Sequence, residues 1–484
     1  MTPAKQFAVL ATVLAAGLLT AGALLADHPM WLLLLPGVAL LVWSLMSPYR
    51  CLLLLLFCFP IERFGTIPTP WFAIKLFQIL AALTLLALLF ERAFHGATPP
   101  RRFIRDPILA CYLAFLVANF ISFAVSGNPD DMRAIVHYLM FWLIALLAVL
   151  LVRTPEQLQG AVRILALSGA LASLFGILQF AGFLMGMETG IQETQMAYTT
   201  GASEALRVTS LFFDANVFAS FLCLVLPLGL AAGQAARNNI ERAAAATGVL
   251  AMLVALAFTQ SRSGFFGVAA GCIAFLFAQR RFVAMGRVLL VAALIFAAGW
   301  AALSLYGSKW YSPEIFLHRA LAVQQGVTDR TEAWKQILEG FYDNPIFGVG
   351  PAQATNWAVY IPNWQSNWSF SNWRIVAHNN FLDVAVGAGL LGLVPFVLFV
   401  ATLCWRAWRN ARSAPPESAA WDLGVFAALV SVLVNSLSMT TLMYPFLWTL
   451  AGLVVSSAEM HRLAAPQLAP ALSAPTAHLA EVRP

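Results

Sequence analysis

The sequence has 484 residues, of which 61% are hydrophobic and 10% are charged, and its formal net charge is +6. Soluble domains usually carry about 25% charged residues, so this composition excludes an ordinary soluble protein. The basic residues stand in short segments between apolar runs, which argues against a nucleic-acid-binding surface. The six cysteines lie within or beside apolar runs and form no CxxC pair, so we interpret them as packing residues.

Apolar runs of about 20 residues, the length that spans a bilayer core, recur from end to end. They predict an all-α polytopic membrane protein with about 12–14 transmembrane helices. The first run is too long for a typical signal peptide, so we expect it to stay as a helix. The third ends at a proline, and it either forms a short re-entrant helix or extends to about residue 66. The expected helices are 7–26, 30–46, 51–60, 71–91, 107–126, 134–152, 160–185, 209–235, 243–260, 263–278, 285–306, 379–403, 421–439 and 442–460.

The arginines indicate which loops face the cytoplasm. Alternate loops hold most of them when the N-terminus is placed inside the cell, and the positive-inside rule assigns those loops and both termini to the cytoplasm. We therefore expect helices 1–11 with short loops over residues 1–306 and a large outer loop over 307–377. The last three helices follow over 378–460, and residues 461–484, rich in Ala and Pro, predict a disordered cytoplasmic tail.

The first of three polar motifs on the outer side is RVTSLFFDAN, residues 207–216. Arg207 stands just before a long apolar span, and Asp214 and Asn216 are expected about two turns inside that span. Polar groups at such a depth need partners because lipid offers none. They either form interhelical hydrogen bonds that fix packing or contact a substrate.

The second motif is TQSRSG, residues 259–264, where two spans meet in a short outer turn with Arg262 at its tip. The N-terminus of the following helix carries free N–H groups and partial positive charge, which favour anions. An arginine beside it strengthens a phosphate site through bidentate hydrogen bonds. The alternative is an interfacial arginine whose side chain reaches to lipid phosphates.

The third motif is the large outer loop, which begins its polar half with DRTEAWKQILEGFYDNPIFGVGP, residues 329–351. The apolar spacing around Trp334 predicts an amphipathic helix from about 330 to 342. Asn344-Pro345 is expected to end that helix, and Gly348 and Gly350 to form a turn. The tryptophan-rich stretch 357–373 suits either sugar faces or a membrane interface.

The loop ends in RIVAHNNFLD, residues 374–383, at the start of another span. His378 has the side chain whose ordinary pKa is closest to neutrality, which suits a general base. Asn379 either hydrogen-bonds a substrate or caps the helix. A lone interfacial histidine is more often structural, but the outer-face arginines converge on the same loops, and this favours catalysis.

In this order around one large outer loop, the motifs resemble those of the O-antigen ligase and O-antigen polymerase superfamily over roughly residues 200–400. The first 190 residues match that family only as a run of hydrophobic helices. The resemblance implies a C-type glycosyltransferase of the bacterial inner membrane with a periplasmic active site. Such enzymes take a glycan from an undecaprenyl diphosphate carrier and join it to an acceptor hydroxyl, with no metal or other cofactor implied.

Carried onto this sequence, the resemblance makes His378 the base that takes the acceptor's proton. It assigns diphosphate binding to three arginines, Arg207, Arg262 and Arg330. Secondary substrate-binding roles fall on Arg374, Asn379, Asp214, Asn216 and Trp334. The tryptophan-rich stretch 357–373 departs from the family pattern.

The acceptor separates the candidate functions. The favoured hypothesis is an O-antigen ligase that transfers a glycan onto lipid A-core. One alternative is a polymerase of O-antigen or exopolysaccharide repeats, and another is a protein O-oligosaccharyltransferase. Both alternatives would use the same base and diphosphate site. A non-enzymatic transporter of lipid-linked sugar is a different class, for which repeated halves with broken helices are expected. The sequence shows no such halves, and its polar motifs gather on one face, which favours an enzyme. The expected partners are the lipid-linked donor, the glycan acceptor and membrane lipids, without nucleic acid.

Overall fold

The structure, a computed structural model, describes residues 41, 43–45, 47–62, 67–68, 73–95, 106–185, 195–198, 204–280, 334–335, 337–352 and 377–472. These residues form helices and two small antiparallel hairpins. The helices are α1 Pro48–Phe57, α2 Leu76–His95, α3 Pro107–Ser126, α4 Asp131–Leu151, α5 Pro155–Leu184, α6 Ala215–Gln234, α7 Asn239–Thr259, α8 Arg262–Ala278, α9 Asn380–Ser413, α10 Ala419–Ser436 and α11 Phe446–Leu472. The strands are β1 Ile67–Pro68 paired with β2 Ala73–Ile74, and β3 Gln195–Tyr198 paired with β4 Glu204–Arg207.

The described helices confirm an all-α polytopic membrane protein. Within the described part of the chain, eight helices are long and apolar enough to cross a membrane, namely α2 to α7, α9 and α10. The expected helices 7–26 and 285–306 lie outside the described residues, as does most of 30–46, so the total number of spans stays a prediction.

Several boundaries correct the sequence expectations. The third expected helix is α1, which ends at Phe57 and does not extend to residue 66, because Cys58, Phe59 and Pro60 form a turn. Its 10 residues are about 15 Å long, half of a bilayer core. α11 continues to Leu472, twelve residues past the boundary expected for the last helix.

Local capping explains where many helices begin. Asp106 accepts a hydrogen bond from the Ile108 N–H and precedes Pro107, a proline at the first helical position of α3. Thr154 and Gln157 form a capping box at the start of α5. These signals are local in sequence, which is why α3 begins and ends where its pattern predicts.

The main core of the described residues is a large apolar cluster in which α10 packs against α6, α8 and α9. Trp448 lies at an aromatic centre, with its ring 4.5 Å from that of Tyr112 and fully buried. Gly267 and Gly271 on α8 face the backbone of α10, and an added Cβ at either would overlap it. Small residues therefore let α8 and α10 approach closely, as is common between membrane helices.

Candidate functional site

Arg207 lies at the end of β4 and ties three elements together. Its Nε donates to the carbonyl oxygen of Thr259 at 2.8 Å, and its Nη2 donates to Oδ1 of Asn216 at 2.6 Å. The side chain is only 7% exposed. The guanidinium thus joins the β3–β4 hairpin, the end of α7 and the start of α6, and much of its donor capacity is used within the protein.

The expected position of Asp214 and Asn216 about two turns inside a helix is wrong. α6 begins at Ala215, and Asp214 is its N-cap, accepting hydrogen bonds from the N–H groups of Asn216 at 2.6 Å and Val217 at 3.2 Å. The polar residues therefore stand at the helix entrance, where free N–H groups need acceptors. Neither of the alternatives weighed from the sequence included a cap.

The TQSRSG motif forms the turn between α7 and α8. Gln260 adopts a left-handed conformation with φ of 51°, and Ser261 caps α8 by accepting from the Gly264 N–H at 3.4 Å. Arg262 is the first residue of α8 and is exposed, and among the described residues its guanidinium has no acidic partner. Since Thr259 accepts from Arg207, the structure brings the two motifs together at one end of the helices.

His378 is held between two anchored neighbours. On one side, Nε1 of Trp334 donates to the carbonyl of Ala377 at 2.7 Å. On the other, Asn379 caps α9 by accepting from the N–H groups of Phe381 and Leu382, and its Nδ2 donates to the carbonyl of Leu437 at 3.1 Å. His378 itself has a φ of 50°, an uncommon value for a non-glycine residue that is worth attention when it falls at a proposed site.

Asn379 and Trp334 therefore have structural partners. The side-chain oxygen of Asn379 is occupied by capping α9, and its amide nitrogen by the Leu437 carbonyl, so neither atom needs a substrate as a partner. Asn380 pairs reciprocally with Thr441, at 3.0 Å from Nδ2 to Oγ1 and 2.7 Å from the Thr441 N–H to Oδ1. Together these contacts fix the opening of α9 against the segment that follows α10.

The helical residues described between 334 and 343 form the loop helix. The turn that follows it packs against a break in α9. Gly389 has φ of 60° and ψ of −160°, which interrupts the helix. The turn 345–350 bonds the freed backbone: the N–H groups of Val349 and Gly350 donate to the carbonyls of Val386 and Gly387, and those of Leu390 and Leu391 donate to Pro345 and Ile346, all at 2.8–3.1 Å. Lipid offers backbone no partners, so a broken helix at this depth requires such bonds.

The same turn is tied to α4 by Asp131. This fully buried carboxylate accepts from the Ala352 N–H at 2.9 Å and also contacts the hydroxyl of Ser126. Ser122 on α3 donates to the carbonyl of Gly387 at 2.7 Å. The expected Gly-x-Gly turn is thereby explained, because Gly348 and Gly350 have positive φ and pack directly on Gly387 and Asp131.

Contacts through α10 connect the histidine segment to the arginine segment. Leu437, which accepts from Asn379, follows the end of α10. Two residues earlier, Oδ1 of Asn435 accepts from Ser220 at 2.7 Å, and Ser220 lies one turn after Asn216 on α6. His378, Arg207 and Arg262 therefore belong to the same end of the bundle.

A second charged group at this end was missed as a site from the sequence. Nζ of Lys75 forms an ion pair with Oε1 of Glu62 and lies 5.0 Å from the ring centroid of Tyr444. Burial raises the pKa of Tyr444 well above its ordinary value, and the negative charges of Glu62 and Asp214 raise it further. Because Asp214 caps α6, its effect on Tyr444 places the Glu62–Lys75 pair and Tyr444 near the start of α6.

Other proposed residues cannot be compared with the structure. Arg330, Arg374 and the tryptophan-rich stretch 357–373 lie outside the described residues. Over the described ranges, no group of three or more His, Cys, Asp or Glu side chains is arranged to hold a metal ion.

Residues 247–397 match the family model Wzy_C, described as O-antigen ligase. The matched segment contains Arg262, the loop helix, His378 and the Gly389 break, and it begins after Arg207 and Asp214. The match confirms the resemblance stated from the sequence motifs. No curated protein matches this chain.

Proposed function

Residues 247–397 belong to the O-antigen ligase family, and from this premise we propose that the protein transfers a glycan from an undecaprenyl diphosphate carrier to an acceptor hydroxyl, with lipid A-core as the acceptor. Family membership supports glycosyl transfer by a multi-pass membrane enzyme of ligase or polymerase type. The carrier, the acceptor and the periplasmic position of the site in an inner membrane are the proposal.

The observation that carries this proposal is the way the backbone of His378 is held in place. Its backbone is held in a left-handed conformation between the Trp334–Ala377 and Asn379–Leu437 hydrogen bonds. Such a conformation costs on the order of 1–3 kcal/mol and persists only where the surroundings impose it. A histidine whose backbone is fixed at the same end of the bundle as the exposed Arg262 supplies the residue types of a base and an anion site.

The proposed reaction is a single displacement. The imidazole of His378 accepts the proton of the acceptor hydroxyl, and the hydroxyl oxygen attacks the anomeric carbon of the donor glycan. The bond from that carbon to the diphosphate oxygen breaks, and the diphosphate leaves with the electron pair. One displacement of this kind inverts the configuration at the anomeric carbon.

The arginines act on the leaving group. Arg262 is exposed at the first position of α8, so its guanidinium is open to a phosphate. Arg207 holds the turn that presents Arg262, through Thr259. Arg330 and Arg374 are proposed as further ligands of the donor. Positive groups placed where charge develops stabilise the transition state more than the ground state.

The test uses purified protein in detergent with an undecaprenyl diphosphate-linked glycan and two acceptors offered separately. Glycan attached to lipid A-core is the expected product. Lengthening of the lipid-linked repeat in place of that product would identify a polymerase. Product with neither acceptor, while the carrier diphosphate still binds, would overturn both acceptor assignments.

A further inference from the structure

The end of the bundle opposite His378 contains a cavity of about 620 Å³ between the C-terminal parts of α8 and α9. α8 runs from Arg262 and α9 from Asn380, so both helices begin at the candidate site and end at this cavity. Its lining residues on the two helices are Phe277, Arg280, Trp405, Trp408, Arg409, Arg412 and Ser413.

The cavity has uncompensated positive charge. Arg280, Arg409 and Arg412 are exposed, and none of the three guanidinium groups forms an ion pair with another residue in the described ranges. Arg406, on the same helix α9, differs, since it pairs with Asp106 at 3.4 Å. The three arginines in the wall of the cavity have no such ion pair within the described residues.

Aromatic rings form the other part of the wall. Trp408 packs between Phe277 and Phe426, with ring centroids 6.4 and 5.3 Å away, and the Cζ of Arg412 lies 5.4 Å from the Trp408 ring. Trp405 is 63% exposed. Indoles at a helix end are typical of the membrane interface, where an apolar body contacts acyl chains and a polar edge meets the headgroups.

Arg280 is also held in an uncommon backbone conformation. It has φ of 55°, just after the end of α8, and its N–H donates to the carbonyl of Phe277 at 2.9 Å. This hydrogen bond keeps Arg280 beside the end of its own helix and in the wall of the cavity.

We propose that this cavity binds the headgroup of an anionic glycerophospholipid from the leaflet opposite the candidate site. The arginines bind the phosphodiester oxygens, and Trp405 and Trp408 contact the first carbons of the acyl chains. A lipid is a better match than a soluble anion because the wall combines three guanidinium groups with three aromatic rings at a helix end. A lipid with two phosphodiester groups should bind more tightly than one with a single group, since three cations are available.

The test measures lipid retention by native mass spectrometry on the whole protein, released from nanodiscs that contain phosphatidylcholine with cardiolipin or with phosphatidylglycerol. The cavity variant is Arg409→Gln with Arg412→Gln, both exposed in the fold. The matched control is Arg237→Gln with Arg242→Gln, which removes the same charge from two exposed positions at the same end of the bundle, one in the α6–α7 connection and one in the first turn of α7. Gel filtration confirms that both variants stay folded.

Wild-type protein and the control should retain anionic lipid in preference to phosphatidylcholine, and the cavity variant should bind it about tenfold more weakly. An equal loss in the control would overturn the proposal in favour of diffuse surface charge. Wild-type protein without a preference for anionic lipid would also overturn it. Displacement of the lipid by millimolar inorganic phosphate would assign the cavity to a soluble anion and reject the lipid.

Discussion

At the scale of single residues, backbone conformation marks the site. Four described non-glycine residues have positive φ, and three of them lie in the three polar motifs: Ser210, Gln260 and His378. The fourth, Arg280, lines the cavity at the opposite end. Conformations of this kind persist where surrounding contacts impose them, as the bonds of Ser210 to Ala172 and Gln179 illustrate. We infer that the local fold is specified most tightly where the proposed chemistry lies.

The first prediction concerns His378 as the base. His378→Ala should lower the transfer rate by about 10²–10⁴-fold while the donor still binds, because only the proton acceptor is removed. In the wild type, the rate should fall about tenfold per pH unit once the imidazole is protonated, since a protonated ring accepts no proton. The measurement is the rate against pH with donor binding recorded at each pH.

The control for this prediction is His137→Ala. The His137 ring contacts only the carbonyl of Arg133 on its own helix among the hydrogen bonds of the described residues, at 2.7 Å. This variant should keep the full rate and the same pH profile. An unchanged acidic limb in the wild type, or full activity in His378→Ala, would reject the base assignment.

The second prediction is that the buried Arg207 and the exposed Arg262 have different roles. An ammonium at position 207 lacks the fork that reaches both Thr259 and Asn216, so Arg207→Lys should destabilise the fold by about 1–3 kcal/mol and reduce transfer. Arg262→Lys should leave thermal stability unchanged and weaken donor binding, because the exposed Arg262 has no such bonds in the described structure. The measurements are the thermal unfolding midpoint and the donor dissociation constant. Equal stability losses in the two variants would contradict this division of roles.

At the scale of elements, the broken helix α9 decides how the outer loop is attached. The turn 345–350 forms four hydrogen bonds with the backbone of α9, two before Gly389 and two after it. The small apolar cluster of Ile337, Ala377 and Val386 seals the loop helix against the start of α9. A continuous helix would close its own hydrogen bonds and leave the turn without partners. The break is therefore what joins the loop helix to the segment that holds His378.

The third prediction tests that break. Gly389→Ala should destabilise the fold and abolish most transfer, because its φ and ψ lie in a region nearly exclusive to glycine and its Cβ would overlap the carbonyl of Ile346. The measurements are thermal unfolding and transfer rate. Gly127→Ala is the matched control: it also has positive φ, at 62°, but an added Cβ would meet open space. A loss in Gly127→Ala as large as in Gly389→Ala would attribute the effect to backbone strain alone.

At the scale of the whole molecule, residues far apart in sequence hold the site together. Asp131 and Ala352 are 221 positions apart, and Ser122 and Gly387 are 265 apart. These bonds connect α3 and α4 to the turn that docks on α9. The first part of the chain, which matched no family motif, thus supports the part that did.

The fourth prediction follows from this long-range support. Asp131→Ala should raise amide hydrogen exchange in residues 345–352 by about tenfold, because a buried N–H of Ala352 loses a charged acceptor. Mass spectrometry of the corresponding peptide gives the measurement. Asn410→Ala, which removes a bond to the Val454 carbonyl at the other end of α9, should leave exchange in this peptide unchanged. Unchanged exchange in Asp131→Ala would mean that the turn is held by its contacts with α9 alone.

The sequence by itself determined the class of protein, the approximate helices and the family, because apolar length, caps and motif order are local properties of the chain. Only the tertiary structure decided what individual polar residues do. Asp214 and Asn379 are helix caps, Arg207 is a buried bridge, and Glu62 with Lys75 forms an ion pair beside Tyr444. The bridge formed by Arg207 depends on Thr259, which lies in a distant segment of the sequence. A polar residue in an apolar sequence signals only that it needs a partner. Which partner it finds is decided when the helices pack.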